Sequence, residues 1–131
     1  MSTEQEILKS CNTVAVVGIS SDENRPSHRV SKYLQEQGYQ IIPVNPKESI
    51  ILGKTCYPDL KSIPEKVDVV DIFRRSEDVP AIIDQAIEIG AGAVWMQEGI
   101  KHEQAAEKAR QAGLKVVQDR CMLKEHRLLN S

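Results

Sequence analysis

T-V-A-V-V-G-I-S, from Thr13 to Ser20, is the stretch whose reading decides the fold. Thr13 to Val17 is uncharged, rich in valine, and shows no alternation of polar and apolar residues. Such a run suits a strand buried on both faces, as in a parallel sheet covered by helices. Gly18 follows at once, where a missing Cβ lets the chain turn sharply or approach a ligand closely. A second run, V-D-V-V-D-I-F from Val67 to Phe73, has the same character apart from its two aspartates.

Outward from these strands, one pattern recurs three times: an amphipathic helix, a glycine, then a short apolar strand. Val30, Tyr33 and Leu34 share a helical face, Gly38 stops that helix, and Tyr39–Val44 reads as a strand. Val79, Ile82, Ile83, Ala86 and Ile87 follow the i, i+3, i+4, i+7, i+8 spacing of a helix, after which Gly90 and Gly92 lead into Ala93–Met96. Ala105, Ala106, Ala109 and Ala112 form a small-residue face, Gly113 ends the helix, and Leu114–Val117 follows. Further helices are expected near Ile7, Leu8 and Cys11, and over Leu123–Leu129. Glu48–Pro64 is the least regular segment. Alternating strands and helices joined by right-handed crossovers imply an α/β fold: a Rossmann-like doubly wound sheet of five parallel strands with helices on both faces. No linker or repeat divides the 131 residues, so residues 1–131 are read as one domain.

Composition narrows the function classes. Net charge is -2, which gives no global attraction to nucleic acid or to an anionic membrane, so an anion site needs locally gathered cations. No apolar run reaches the roughly 20 residues of a spanning helix. The polar start, Met1–Ser10, does not read as a secretory signal. Three widely spaced cysteines argue against a disulfide framework and for a reducing cytoplasm. Cysteine and histidine show no metal-ligand spacing.

In open α/β sheets the ligand crevice lies outside the carboxyl ends of the strands. The residues there are Gly18, Ile19 and Ser20; Asn45, Pro46 and Lys47; Arg74 and Arg75; Gln97, Glu98 and Gly99; and Asp119, Arg120 and Cys121. Pro26 stands where it can open a helix whose unpaired N–H groups and dipole favour phosphate. Arg25 beside it could add a charge-assisted contact worth roughly 1.5–3 kcal/mol if shielded from water. Equally, Arg25 is a solvated cation and Pro26 merely starts a helix. The turn lacks the second and third glycines of a G-x-G-x-x-G fingerprint. At the end of the second strand, where a dinucleotide enzyme needs Asp or Glu, the chain reads Val44-Asn45-Pro46-Lys47. Lysine suits an extra phosphate better than a ribose diol, which disfavours NAD.

Taken together, V-A-V-V-G-I-S, R-P-S-H-x-V-x-x-Y-L, I-I-P-V-N-P-K, V-D-V-V-D-I-F-R, V-W-M-Q-E-G-I and D-R-C resemble the small stand-alone coenzyme A-binding proteins. That family is itself similar to the nucleotide-binding N-terminal domain of the succinyl-CoA synthetase α subunit. The resemblance runs from about Ile7 to Leu129 and implies CoA lying across the carboxyl edge. It implies Gly18, Ile19 and Ser20 at the pyrophosphate turn, and Arg25, Pro26 and Ser27 holding phosphate. Val44, Asn45 and Lys47 would meet the adenosine and its phosphates. Phe73 and Arg74 would flank adenine or pantetheine, and Met96, Gln97 and Glu98 the pantetheine end. The ligase domain has V-P-P where this chain has Phe73-Arg74-Arg75, so side-chain roles differ there.

The chain is too short to include the second domain that carries the phosphohistidine in that synthetase family. His102 and His126 read as surface residues or as residues packed behind a site, and His28 is the exception, beside the phosphate site where it could donate to the ligand. Cys121, beside Arg120 and before a helix start, is the one candidate nucleophile; a small packing residue is the simpler reading. Cys11, Cys56 and Trp95 read as structural. Asp68 and Asp71 point to opposite strand faces, so they are expected to cap neighbouring elements rather than act as a dyad. The expectation is a binding or sensing module for CoA or an acyl-CoA, acting alone or with a protein partner. An acyl- or thiol-transfer enzyme using Cys121 is the alternative, and an NADP-dependent reductase a weaker one.

Overall fold

A computed structural model describes residues 1–130. The strands of the main sheet are β1 (Thr13–Val17), β2 (Gln40–Val44), β5 (Val69–Ile72), β6 (Ala93–Met96) and β7 (Lys115–Val117). All pair in parallel, in the order β2-β1-β5-β6-β7. The first crossover steps from β1 to β2 on one side; the chain then returns to β5 on the other side and continues outward. Strand order therefore reverses between β1 and β5, and this reversal places the crevice.

Alternate side chains of each strand serve opposite faces. Ala15, Val17, Val70, Ile72, Val94 and Met96 meet α3 (Val79–Glu88) and α4 (Glu103–Gln111). Val14, Val16, Val69 and Trp95 meet α1 (Thr3–Ser10), α2 (Pro26–Glu36) and α5 (Met122–Leu129). The sheet is thus covered on both sides, which is why its strands read as unbroken apolar runs. Ala112, expected on the small-residue face of α4, is instead that helix's exposed C-cap.

The segment expected to be irregular contains a hairpin, β3 (Ile50–Ile51) and β4 (Lys54–Thr55), and a 3-10 turn at Leu60–Ser62. Tyr57 bridges to Val44, so this excursion covers the β2 edge. The two aspartates of β5 differ in role. Asp68 accepts the Asn12 and Thr13 N–H groups at 2.9 and 3.0 Å, as a cap should. Asp71 caps nothing. It lies wholly buried between Val16 and Trp95, and both carboxylate oxygens lack a hydrogen-bond partner.

Candidate functional site

The turn after β1 is shaped by Gly18. Its φ is +88°, and a Cβ built there would collide with the Phe73 carbonyl oxygen and lie 2.8 Å from Arg74 Cδ. Only glycine lets the ends of β1 and β5 approach this closely. The Gly18 N–H is spent on Val44 O at 3.0 Å. Ser20 N–H donates to Ser27 Oγ at 2.9 Å, and His28 Nδ1 lies 2.9 Å from Ser20 O, which folds the loop back onto the start of α2. His28 is buried and braces the turn from beside the α2 start. Pro26 is at N1 of α2, and the Ser27 N–H behind it makes no bond among the described residues. That free donor, the Ser27 hydroxyl hydrogen and the helix dipole all favour an anion.

A cavity of about 740 Å³ opens in front of this turn. Gly18, Ser20, Arg25, Pro26 and Ser27 form one wall. Phe73 and Arg74 from the end of β5 and Gln97 and Glu98 from the end of β6 form the opposite side, and Cys121 lines it as well. A second cavity of about 320 Å³ adjoins it, sharing Gly18 and Arg74 and bounded by Val44, Pro46, Pro58 and Asp59. Arg25 makes no ion pair among the described residues, whereas Arg74 pairs with Asp78 at 3.3 Å. That pair is partly exposed and holds Arg74 only weakly.

Four expected residues, Ile19, Asn45, Lys47 and Met96, line neither cavity. Ile19 and Met96 are fully buried, because each points into the core from the strand end. Lys47 is exposed and lies outside both linings. The Asn45 side chain is spent on neighbouring backbone: its Nδ2 donates to Ile19 O at 2.8 Å and its Oδ1 accepts the Lys47 N–H at 2.8 Å. Arg25 and Arg74 therefore line one cavity, and Lys47 stands apart from them. Arg75 and Gly99, expected at the carboxyl edge, line the larger cavity, as do Val30, Ser76 and Ile100, which the sequence did not single out there. Val30 lies one helical turn beyond Pro26, so i, i+4 spacing from the phosphate-facing helix start was the signal that could have found it.

The far end is held by β6. Trp95 Nε1 donates to Arg120 O at 2.9 Å, and Gln97 Oε1 accepts the Met122 N–H at 3.1 Å. These two bonds set the D-R-C loop and the start of α5 against the cavity. Asp119, at φ +56°, accepts the Gly99 N–H at 2.7 Å and steadies the neighbouring loop. Glu98 is engaged by Lys124, whose Nζ lies 3.1 and 3.0 Å from its two oxygens; this contact raises the Lys124 pKa. No hydrogen bond to Cys121 Sγ is made by any side chain among the described residues. Cys11 is a different thiol: burial first, then the charge of Asp68, pushes its pKa up to about 12, which makes it inert. His102 caps α4, its Nδ1 accepting the Ala105 N–H at 3.1 Å, and His126 is a buried residue of α5 itself, its ring against Tyr33 and Tyr39. No group of three potential metal ligands occurs among the described residues.

The sequence pattern of the CoA binding domain family matches residues 12–127. The chain belongs to that family. The uncharacterized protein YneT of Bacillus subtilis is 39% identical over 122 residues, covering 93% of this chain and 90% of that protein. An ADP-forming acetate–CoA ligase of Archaeoglobus fulgidus is 31% identical over 121 residues, covering 83% of this chain but 17% of the ligase. A solved structure of a hypothetical protein from Pyrococcus horikoshii OT3 superposes with a TM-score of 0.95 at 40% identity, over 100% of this chain and 94% of that one. The dinucleotide forming acetyl-coenzyme A synthetase 1 of Ca. Korarchaeum cryptofilum, solved with phosphate and ADP, gives a TM-score of 0.76 at 25% identity, over 88% of this chain and 27% of that one. No helix among the described residues is long and apolar enough to cross a membrane.

Proposed function

We propose that this protein binds coenzyme A or an acyl-CoA at its carboxyl edge, as a cytoplasmic module that senses the molecule or presents it to a partner protein. The observation that carries the reading is convergence: Arg25, Arg74 and the α2 start face one cavity in a chain of the CoA binding domain family. In this reading the pyrophosphate sits against Gly18, Ser20, Ser27 and Arg25. Adenosine enters the smaller cavity near Val44, and pantetheine runs past Phe73 toward Gln97, Glu98 and Cys121. Calorimetry with CoA, dephospho-CoA, NAD and NADP tests it: CoA binds tightest, and Arg25→Ala weakens CoA by about tenfold or more. Binding of NAD as tight as that of CoA would overturn the assignment.

A second reading is favoured by the position of Cys121 in the same cavity. Its thiolate would attack one sulfur of CoA disulfide, forming a protein–CoA disulfide and releasing CoA thiolate; attack on an acyl-CoA carbonyl would release the same leaving group. Intact mass after incubation with CoA disulfide or acetyl-CoA decides it. An adduct lost in Cys121→Ala supports transfer chemistry, and no adduct in the parent protein removes it.

A further inference from the structure

A groove of about 670 Å³ runs between α2 and α5. It meets the larger cavity at Pro26, Val30, Glu98 and Cys121, which line both. It thus begins where the pantetheine of the proposed ligand ends. Its inner surface is apolar, built by Val30, Tyr33 and Leu123. Its rim carries Arg29, Lys32, Lys124 and Arg127 against Glu36 and Glu98. Lys124 and Glu98 neutralise each other at 3.0 Å. Arg127 lies over the Tyr33 ring, 5.2 Å from its centroid, and Arg29 Nη1 donates to Asn24 O at 2.9 Å. Lys32 makes no ion pair among the described residues. The groove is therefore apolar near the thiol end and cationic beyond it.

We infer that this groove receives the acyl chain of a CoA thioester, and that the favoured chain ends in a carboxylate. The inference rests on the CoA reading above. The methylenes would cover Val30 and Leu123, with burial as the driving force. The terminal carboxylate would reach Lys32, Arg29 and Arg127. A plain fatty acyl chain satisfies the walls and leaves the rim unmatched; a short acetyl group reaches neither.

Calorimetry with CoA, hexanoyl-CoA and adipyl-CoA, a six-carbon dicarboxylic thioester, separates the possibilities. The expected order is adipyl-CoA tightest, by about tenfold over CoA, with hexanoyl-CoA between. Leu123→Trp fills the groove and brings the three ligands to one affinity, with CoA unchanged. Lys32→Glu, on an exposed helix face, removes the advantage of adipyl-CoA over hexanoyl-CoA and leaves hexanoyl-CoA unchanged. Adipyl-CoA binding no tighter than CoA, or weaker than hexanoyl-CoA, overturns the inference while the CoA reading stands. Failure of CoA itself to bind overturns both.

Discussion

Gly18 is constrained twice, by a backbone angle that L residues rarely adopt and by the Phe73 carbonyl where a Cβ would lie. Gly18→Ala is expected to destabilise the fold by at least about 2 kcal/mol in urea titration and to abolish CoA binding, because the β1–β5 junction must part. Asp71 is the opposite kind of residue, a buried carboxyl with nothing to accept from. Burial holds its pKa well above the usual carboxylate value. Its folded pKa is raised, so its contribution is intact below the unfolded value near 3.8 and is lost as pH rises toward the folded one. Asp71→Asn should therefore gain on the parent protein with increasing pH, with a slope of at most about 1.4 kcal/mol per pH unit. Parallel curves for the two proteins from pH 4 to 8 would contradict this. The sequence foretold the Asp68 cap but not this orphan, since alternation tells which face a side chain takes and not what waits there. Ile19 and Met96 turn their side chains inward for a related reason: a motif names neighbours along the chain, and the pleat sends alternate side chains into the core.

At the scale of elements, α5 is fastened by side chains. Tyr33 OH and His126 Nδ1 are 2.7 Å apart, Tyr39 and Tyr33 meet the imidazole edge-on, and Asn130 Nδ2 donates to His126 O at 2.9 Å. Tyr33→Phe is expected to cost about 1 kcal/mol in urea titration. Burial lowers the His126 pKa, so the unfolded chain takes up the proton more readily; stability held above pH 6.5 is lost as pH falls through the folded value. His126→Gln should lessen that acid loss, visible as a smaller drop in the urea midpoint between pH 7 and pH 5. The strands and long helices were legible because double-sided burial and 3.6-residue periodicity leave strong patterns. The β3–β4 hairpin was not, because two-residue strands carry no period, and its turn holds Leu52 at φ +55° instead of the usual Asn or Gly.

For the whole molecule, the strand reversal, the cavity at β1 and β5, and a net charge of -2 coexist because Arg25 and Arg74 are gathered on one edge. The crevice was foreseeable, since the first-strand turn and the helix-starting Pro26 follow from topology. The hairpin's cover over β2, which supplies Pro58 and Asp59 to the smaller cavity, was not. CoA at about 100 times its Kd should stabilise the native state by about 2.7 kcal/mol, a rise in Tm of roughly 10 °C by calorimetry. Raising salt should shrink that rise if phosphate contacts dominate.

The cavity has a floor of hydrogen-bonded strands, but its α5 side hangs from β6 by Trp95 and Gln97. Amide protons of α5 are thus expected to exchange with deuterium well before those of β1 and β5. Severing the Gln97 tether with Gln97→Ala would then shorten how long a ligand stays more than it slows its arrival, so departure kinetics measured by stopped flow, rather than equilibrium affinity alone, would report on this helix.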